Sequence, residues 1–141
     1  MNSSEVVTLF GDPTITVERA VECRMHDGVV LRADVYRPAE ASGVFPVLLQ
    51  RLPYDKTQAE SITYAHPSWY ARHGYIVVVQ DCRGRGTSQG DWYPFLHEAH
   101  DGYDTVEWAA QLPGSVGRVG MYGFSYAGLT QLLPGAPRSI A

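Results

Sequence analysis

Between Gly117 and Leu133 the chain reads GRVGMYGFSYAGLTQLL, passing from a strand pattern to a helix pattern across Gly-Phe-Ser-Tyr-Ala-Gly. A strand that turns at once into a helix belongs to a layered α/β architecture, where the helix folds back onto the sheet its strand has just left. The serine at the joint, Ser125, would stand on a sharp, strained turn. Bulky neighbours clash there, so small residues are expected two positions before it and two or three after it. Gly123, Ala127 and Gly128 meet that requirement, in a G-x-S-x-A-G pattern in place of the stricter G-x-S-x-G. Such a turn displays a hydroxyl for nucleophilic attack. It also aims the first amides of the new helix at the serine oxygen, which makes the Tyr126 N–H a natural donor to an oxyanion. The alternative is a structural serine in a small-residue connection, and the preceding chain decides between the two.

That chain supplies strand after helix. Residues 1–14 form a lead-in without a strong pattern. A strand is expected from Ile15 to Met25, then a turn at His26-Asp27-Gly28, where Asp can bond its own backbone and Gly accepts positive φ. Val29, Leu31, Ala33 and Val35 alternate with Val30, Arg32, Asp34 and Tyr36, predicting a half-buried strand and, with its predecessor, an antiparallel hairpin. Pro46–Arg51 reads as a short buried strand and Ser68–His73 as a helical stretch. Tyr75–Val79 is apolar at every position, as in a parallel strand covered on both faces. Gly84, Gly86 and Gly90 mark a tight loop. A helix is expected over Glu98–Leu112, with Ala99, Tyr103, Val106 and Ala110 on one face and Pro113-Gly114 as its stop. The fold class is therefore α/β: a mostly parallel sheet that begins with an antiparallel hairpin.

Composition excludes several functions. The net charge is −4 and no basic run occurs, so nucleic-acid binding has no electrostatic footprint. Nothing approaches 18 consecutive apolar residues, so no membrane span is expected. MNSSEVVTLF lacks the basic and apolar regions of a signal peptide, and the expectation is a cytoplasmic protein with Cys23 and Cys82 as reduced thiols.

A second oxyanion donor would come from the loop after the Pro46–Arg51 strand, Arg51-Leu52-Pro53-Tyr54-Asp55-Lys56, where Tyr54 carries a hydroxyl. The competing reading is a turn in which Tyr54 packs while Asp55 and Lys56 are solvated. Of the five histidines, His26 and His73 fall at element ends and read as solvated. His97 and His100 bracket Glu98 as H-E-x-H, which is not the zinc spacing H-E-x-x-H. His66 lies after Tyr54 and is the one histidine placed to approach the site. Asp81 and Arg83 read as braces of a loop. Asp101, Asp104 and Glu107 read as surface or supporting carboxylates, and Trp92, Tyr93 and Trp108 as packing.

Taken in order, MHDGVVLRADVYRP, PVLLQRLPYDK, GYIVVVQDCRGRGTSQGDWYPF and HEAHDGYDTVEWAAQLPGSVGRVGMYGFSYAG resemble the X-prolyl dipeptidyl peptidase-like α/β-hydrolases, cocaine-esterase-like hydrolases and related acylases among them. The resemblance implies an α/β-hydrolase sheet over residues 15–133. It implies Ser125 as nucleophile, the Tyr126 N–H as one oxyanion donor and the Tyr54 hydroxyl as the other. The chemistry it implies is acyl transfer to serine and then to water, on a small ester, amide or peptide substrate, without metal or cofactor. In that family the acid and base follow the serine by a long interval, whereas this chain ends at Ala141. Residues 134–141, with Pro134, Gly135 and Pro137, also depart from the helix expected there. The expectation is a truncated or frame-shifted segment whose Asp and His are absent. A non-catalytic α/β remnant, prone to self-association through an exposed sheet edge, is the alternative.

Overall fold

The computed structural model describes residues 6–7, 11–40 and 42–133; the expected tail at 134–141 lies outside them. The described residues contain strands β1 (Val6–Val7), β2 (Ile15–Arg24), β3 (Val30–Pro38), β4 (Phe45–Leu52), β5 (Ile76–Asp81) and β6 (Ser115–Met121), with helices α1 (Pro67–Arg72), α2 (Glu98–Ala110) and α3 (Tyr126–Leu132). The sheet order is β1-β2-β3-β5-β4-β6. The first three pairings are antiparallel, and β5-β4 and β4-β6 are parallel. The sheet is thus mixed, with the anticipated antiparallel beginning joined to a parallel βαβαβ unit. Inside the expected lead-in, Val6 and Val7 pair with Glu18 and Val17.

Period-2 alternation divides the core cleanly. On β5, Val77 and Val79 join Ala71 of α1 and Ala127 of α3 on one face, while Ile76 and Val78 join Ala109 of α2 on the other. Every residue of β5 is fully buried: Ile76–Val79, as the apolar run requires, and with them the polar Gln80 and Asp81. On β2, Ile15, Val17 and Val21 all fall at odd positions, yet Ile15 and Val17 face α1 whereas Val21 faces α2. A bulge between Glu18 and Val21 makes the switch, with Ala20 at φ 53°. No described helix is long and apolar enough to cross a membrane.

Three expectations need correction. The β3 strand is covered on both faces: Asp34 is 0% and Tyr36 2% exposed. Asp34 takes Arg19 Nη1 at 2.7 Å, the Ala20 N–H at 3.0 Å and Lys56 Nζ at 3.3 Å, so a carboxylate expected in water is buried among donors. Lys56 is correspondingly buried, and Leu52, expected in the loop, continues β4 by one residue beyond Arg51, the anticipated strand end. The buried stripe of α2 is Glu98, Asp101, Thr105 and Ala109, turned away from the anticipated apolar one, whose members are only partly covered. Two arginines cause this: Arg51 pairs with Glu98, and Arg83 takes both Asp101 oxygens at 2.7 and 2.9 Å.

Candidate active site

Past an irregularity between Phe45 and Val47, the parallel neighbours β4 and β6 run in register, Leu49 opposite Met121, and the Tyr122 N–H donates to the Leu49 carbonyl. Their C-terminal ends therefore emerge side by side, one leading to Tyr54 and the other to Ser125. This is the end of a parallel sheet at which open α/β folds bind ligands.

Ser125 stands at φ 59°, ψ −122°, a region that an L residue occupies only when its surroundings hold it there. The surroundings are visible. Its carbonyl accepts the Gly128 and Leu129 N–H groups, starting α3, and Gln131 Nε2 ties back to the Gly123 carbonyl at 3.2 Å. Ser125 is exposed, and Ala127 beneath it is buried. Gly123, at φ 143°, lies so near α3 that a Cβ there would sit 2.6 Å from the Ala127 Cβ and 3.0 Å from its carbonyl oxygen. Gly123→Val should therefore dislodge the turn and cost on the order of 3 kcal/mol, read as a lowered midpoint in urea denaturation.

Tyr126 occupies the first position of α3, where an N–H has no acceptor within the helix. Two clefts flank the serine. One, of about 660 Å³, is lined by Tyr54, Asp55, Glu60, Tyr64, Phe124 and Ser125 among others. The second, of about 340 Å³, is lined by Tyr54, Phe95, Ser125, Tyr126 and Leu129. The three residues singled out in the sequence thus border one connected region, with Tyr54 53% exposed.

The Tyr54 loop is anchored from below. Asp81, at the end of β5, accepts the Lys56 N–H at 2.7 Å and both the N–H and hydroxyl of Thr87. It so ties the Tyr54 loop to the glycine loop, where a Cβ on Gly86 would strike its carboxylate. Asp81 and Arg83 are braces, as expected. Asp55, at φ 96°, folds onto the N–H and hydroxyl of Thr57, which hold its carboxyl below the usual range.

No described histidine lines either cleft beside Ser125. His66 caps α1, its Nδ1 3.2 Å from the Ser68 N–H and 2.8 Å from the Ser68 hydroxyl, and its ring meets Tyr36 edge-on. Burial lowers its pKa. The expectation that it approaches the site fails because the cap takes its ring nitrogen. His26 is bound to Asp104 at 2.7 Å, and His73 stacks on Trp69. Cys23 and Cys82 are free thiols, and burial pushes both up to about 12, away from nucleophilic use. Trp108 packs into the core as expected, whereas Tyr93 is 66% exposed.

Sequence reasoning overlooked Glu98, which is 3% exposed beneath the elbow. Its two oxygens take Arg51 Nη1 and the Tyr126 hydroxyl. The available signal was a carboxylate at the start of a helix packed behind a nucleophile turn, which alone does not separate a surface residue from a buried one.

The model of the X-Pro dipeptidyl-peptidase (S15) family matches residues 27–138, running into the stretch from 134 onward that the sequence sets apart. Cocaine esterase of Rhodococcus sp. (strain MB1 Bresler) is 41% identical over 122 residues, covering 85% of this chain and 21% of that protein. A CocE/NonD family hydrolase from Staphylococcus aureus superposes with a TM-score of 0.79 at 26% identity, over 88% of this chain and 26% of that one. An alpha-amino acid ester hydrolase does so with a TM-score of 0.73 at 30% identity, over 90% of this chain and 24% of that one. The chain thus spans about a fifth to a quarter of the length of these relatives. The match over most of its sequence and the shared α/β-hydrolase sheet identify it: the chain belongs to the X-Pro dipeptidyl-peptidase S15 family of hydrolases.

Proposed function

We propose that this chain carries the nucleophile and oxyanion site of a serine hydrolase acting on ester or amide bonds, X-prolyl peptide bonds among them. The observation that carries the reading is the strained, exposed Ser125 beside Tyr54, at the shared end of β4 and β6. The names of its relatives, an esterase, an amino acid ester hydrolase and X-Pro dipeptidyl-peptidases, support this substrate range.

The Ser125 oxygen attacks the acyl carbon as its proton passes to a base. The tetrahedral oxyanion accepts from the Tyr126 N–H and the Tyr54 hydroxyl. Collapse expels the alcohol or amine, and water repeats the sequence on the acyl-serine. On this reading the base and its carboxylate partner fall to none of the described residues, no described histidine bordering the clefts. The exposed side of the clefts is where they would enter.

A fluorophosphonate should label Ser125 in the full-length protein, mapped by peptide mass spectrometry and lost in Ser125→Ala. Tyr54→Phe should slow that labelling and lower kcat by about 10²-fold, the effect of removing one oxyanion donor. Labelling at another residue, or undiminished in Ser125→Ala, would overturn the reading.

A further inference from the structure

The proposed oxyanion site uses the main chain of Tyr126, and the side chain of the same residue is engaged elsewhere. Its hydroxyl donates to Glu98 Oε2 and accepts the Phe95 N–H at 2.9 Å. Its ring stacks on Phe95, with centroids 4.9 Å apart and planes at 21°, and meets Trp92 at 5.5 Å. Two routes lead from this side chain back to Tyr54. In the first, Glu98 Oε1 lies 3.0 Å from Nη1 of the fully buried Arg51, three residues before Tyr54 on the same strand end. In the second, Arg85 lies 5.3 Å over the Trp92 ring and donates to the carbonyl of Pro53, next to Tyr54, at 2.9 Å.

Packing alone does not account for this arrangement. The Phe95 stack would cover the ring without a buried carboxylate beneath it, and such a carboxylate is costly unless several donors satisfy it. Both Glu98 oxygens are engaged, by Arg51 Nη1 and the Tyr126 hydroxyl, although Arg51 Nη2 is buried without a partner among the described residues, and a carboxylate held from two sides fixes the relative positions of the segments that donate to it. A fixed position is what an oxyanion site needs, because its donors act only within about 2.7–3.1 Å of the oxyanion. The elbow also needs external support, since α3 has only seven residues and begins on a strained serine.

We infer that Glu98 and the Tyr126 side chain are positioning residues that hold the Tyr126 N–H in register with the Tyr54 hydroxyl. The inference rests on the hydrolase reading above. Tyr126→Phe is the deciding variant: it keeps the ring stack, the main-chain N–H and the Arg51–Glu98 pair, and removes only the hydroxyl.

The measurement is hydrolysis of p-nitrophenyl acetate by the full-length protein, with active sites counted by fluorophosphonate titration so that misfolded molecules do not contribute. Tyr126→Phe should lower kcat per site about tenfold, within the range that misplacement of a catalytic group produces, while KM changes less than twofold. In a Tyr54→Phe background the same substitution should cost less than threefold, because the donor to be aligned is gone. Wild-type kcat in Tyr126→Phe, or an equal loss in both backgrounds, overturns the positioning role while Ser125→Ala remains inactive. Activity persisting in Ser125→Ala overturns the hydrolase reading and this inference with it.

Discussion

Ser125→Gly should give a protein more stable than the wild type and devoid of measurable acyl transfer. The serine is held at φ 59°, ψ −122°, and a non-glycine residue in such a region costs of order 1–3 kcal/mol. Glycine removes that cost but adds backbone freedom to the unfolded chain, worth about 0.4–1 kcal/mol in the opposite direction. The balance is a gain of roughly 1 kcal/mol, a rise of several degrees in Tm if unfolding is two-state. Loss of the proposed nucleophile should reduce kcat by about 10⁶-fold, the effect of removing the reactive serine of a serine protease. Ser125→Ala is the control: it loses the same activity but keeps a Cβ at the strained φ, so its stability should stay near that of the wild type. Equal melting temperatures for the alanine and glycine variants would show that the turn stores no strain. A difference in the expected sense would show that the fold sacrifices stability at the residue where reactivity is needed.

What could be read in advance followed from constraints local to one element. Gly123, Ala127 and Gly128 were legible because the turn admits only small residues, and Ile76–Val79 because a strand buried on both faces has no polar side. Tyr54 stands out in the sequence as a hydroxyl at the right place in the topology, with packing as the equal alternative, and only the family resemblance favours the oxyanion role; the structure adds its place on the clefts beside Ser125. The overlooked part is the buried polar set: Asp34, Arg51, Lys56 and Glu98. Asp34, Lys56 and Glu98 look solvated when judged on their own elements, and the buried strand that carries Arg51 names no partner for its guanidinium, because the groups these residues meet lie on other segments. Lys56 reaches Asp34 across 22 positions of sequence, a separation that periodicity cannot see. The α2 stripe was misjudged for this reason. Alanine and valine outweigh glutamate and aspartate in any hydrophobic count, yet the carboxylate face is the one turned to the sheet, because Arg51 and Arg83 wait there. The β2 bulge was invisible for another reason: Ala20 carries no mark of positive φ, which here is supported by its N–H bond to Asp34.

Arg51 allows fold and function to be separated. Arg51→Ala should destabilise the protein by about 3–5 kcal/mol, because Glu98 is then left charged and buried without its partner. Against total stabilities of about 5–15 kcal/mol this is a large share, and the variant should be largely unfolded at moderate urea. Replacing both partners by apolar residues of similar volume, Arg51→Met with Glu98→Leu, removes two desolvated charges together and should be neutral or even stabilising. In that background the single Thr105 hydroxyl proton, within reach of both the Asp101 carbonyl at 2.7 Å and Gln80 Oε1 at 3.0 Å, can turn to the Gln80 oxygen that Arg51 has left. The double variant nevertheless deprives the Tyr126 hydroxyl of its acceptor. If the ion pair serves the fold alone, restored stability should bring back whatever rate of p-nitrophenyl acetate hydrolysis the wild type shows. If it serves the alignment of the two oxyanion donors, urea denaturation will report a wild-type midpoint while kcat stays about tenfold low, matching Tyr126→Phe.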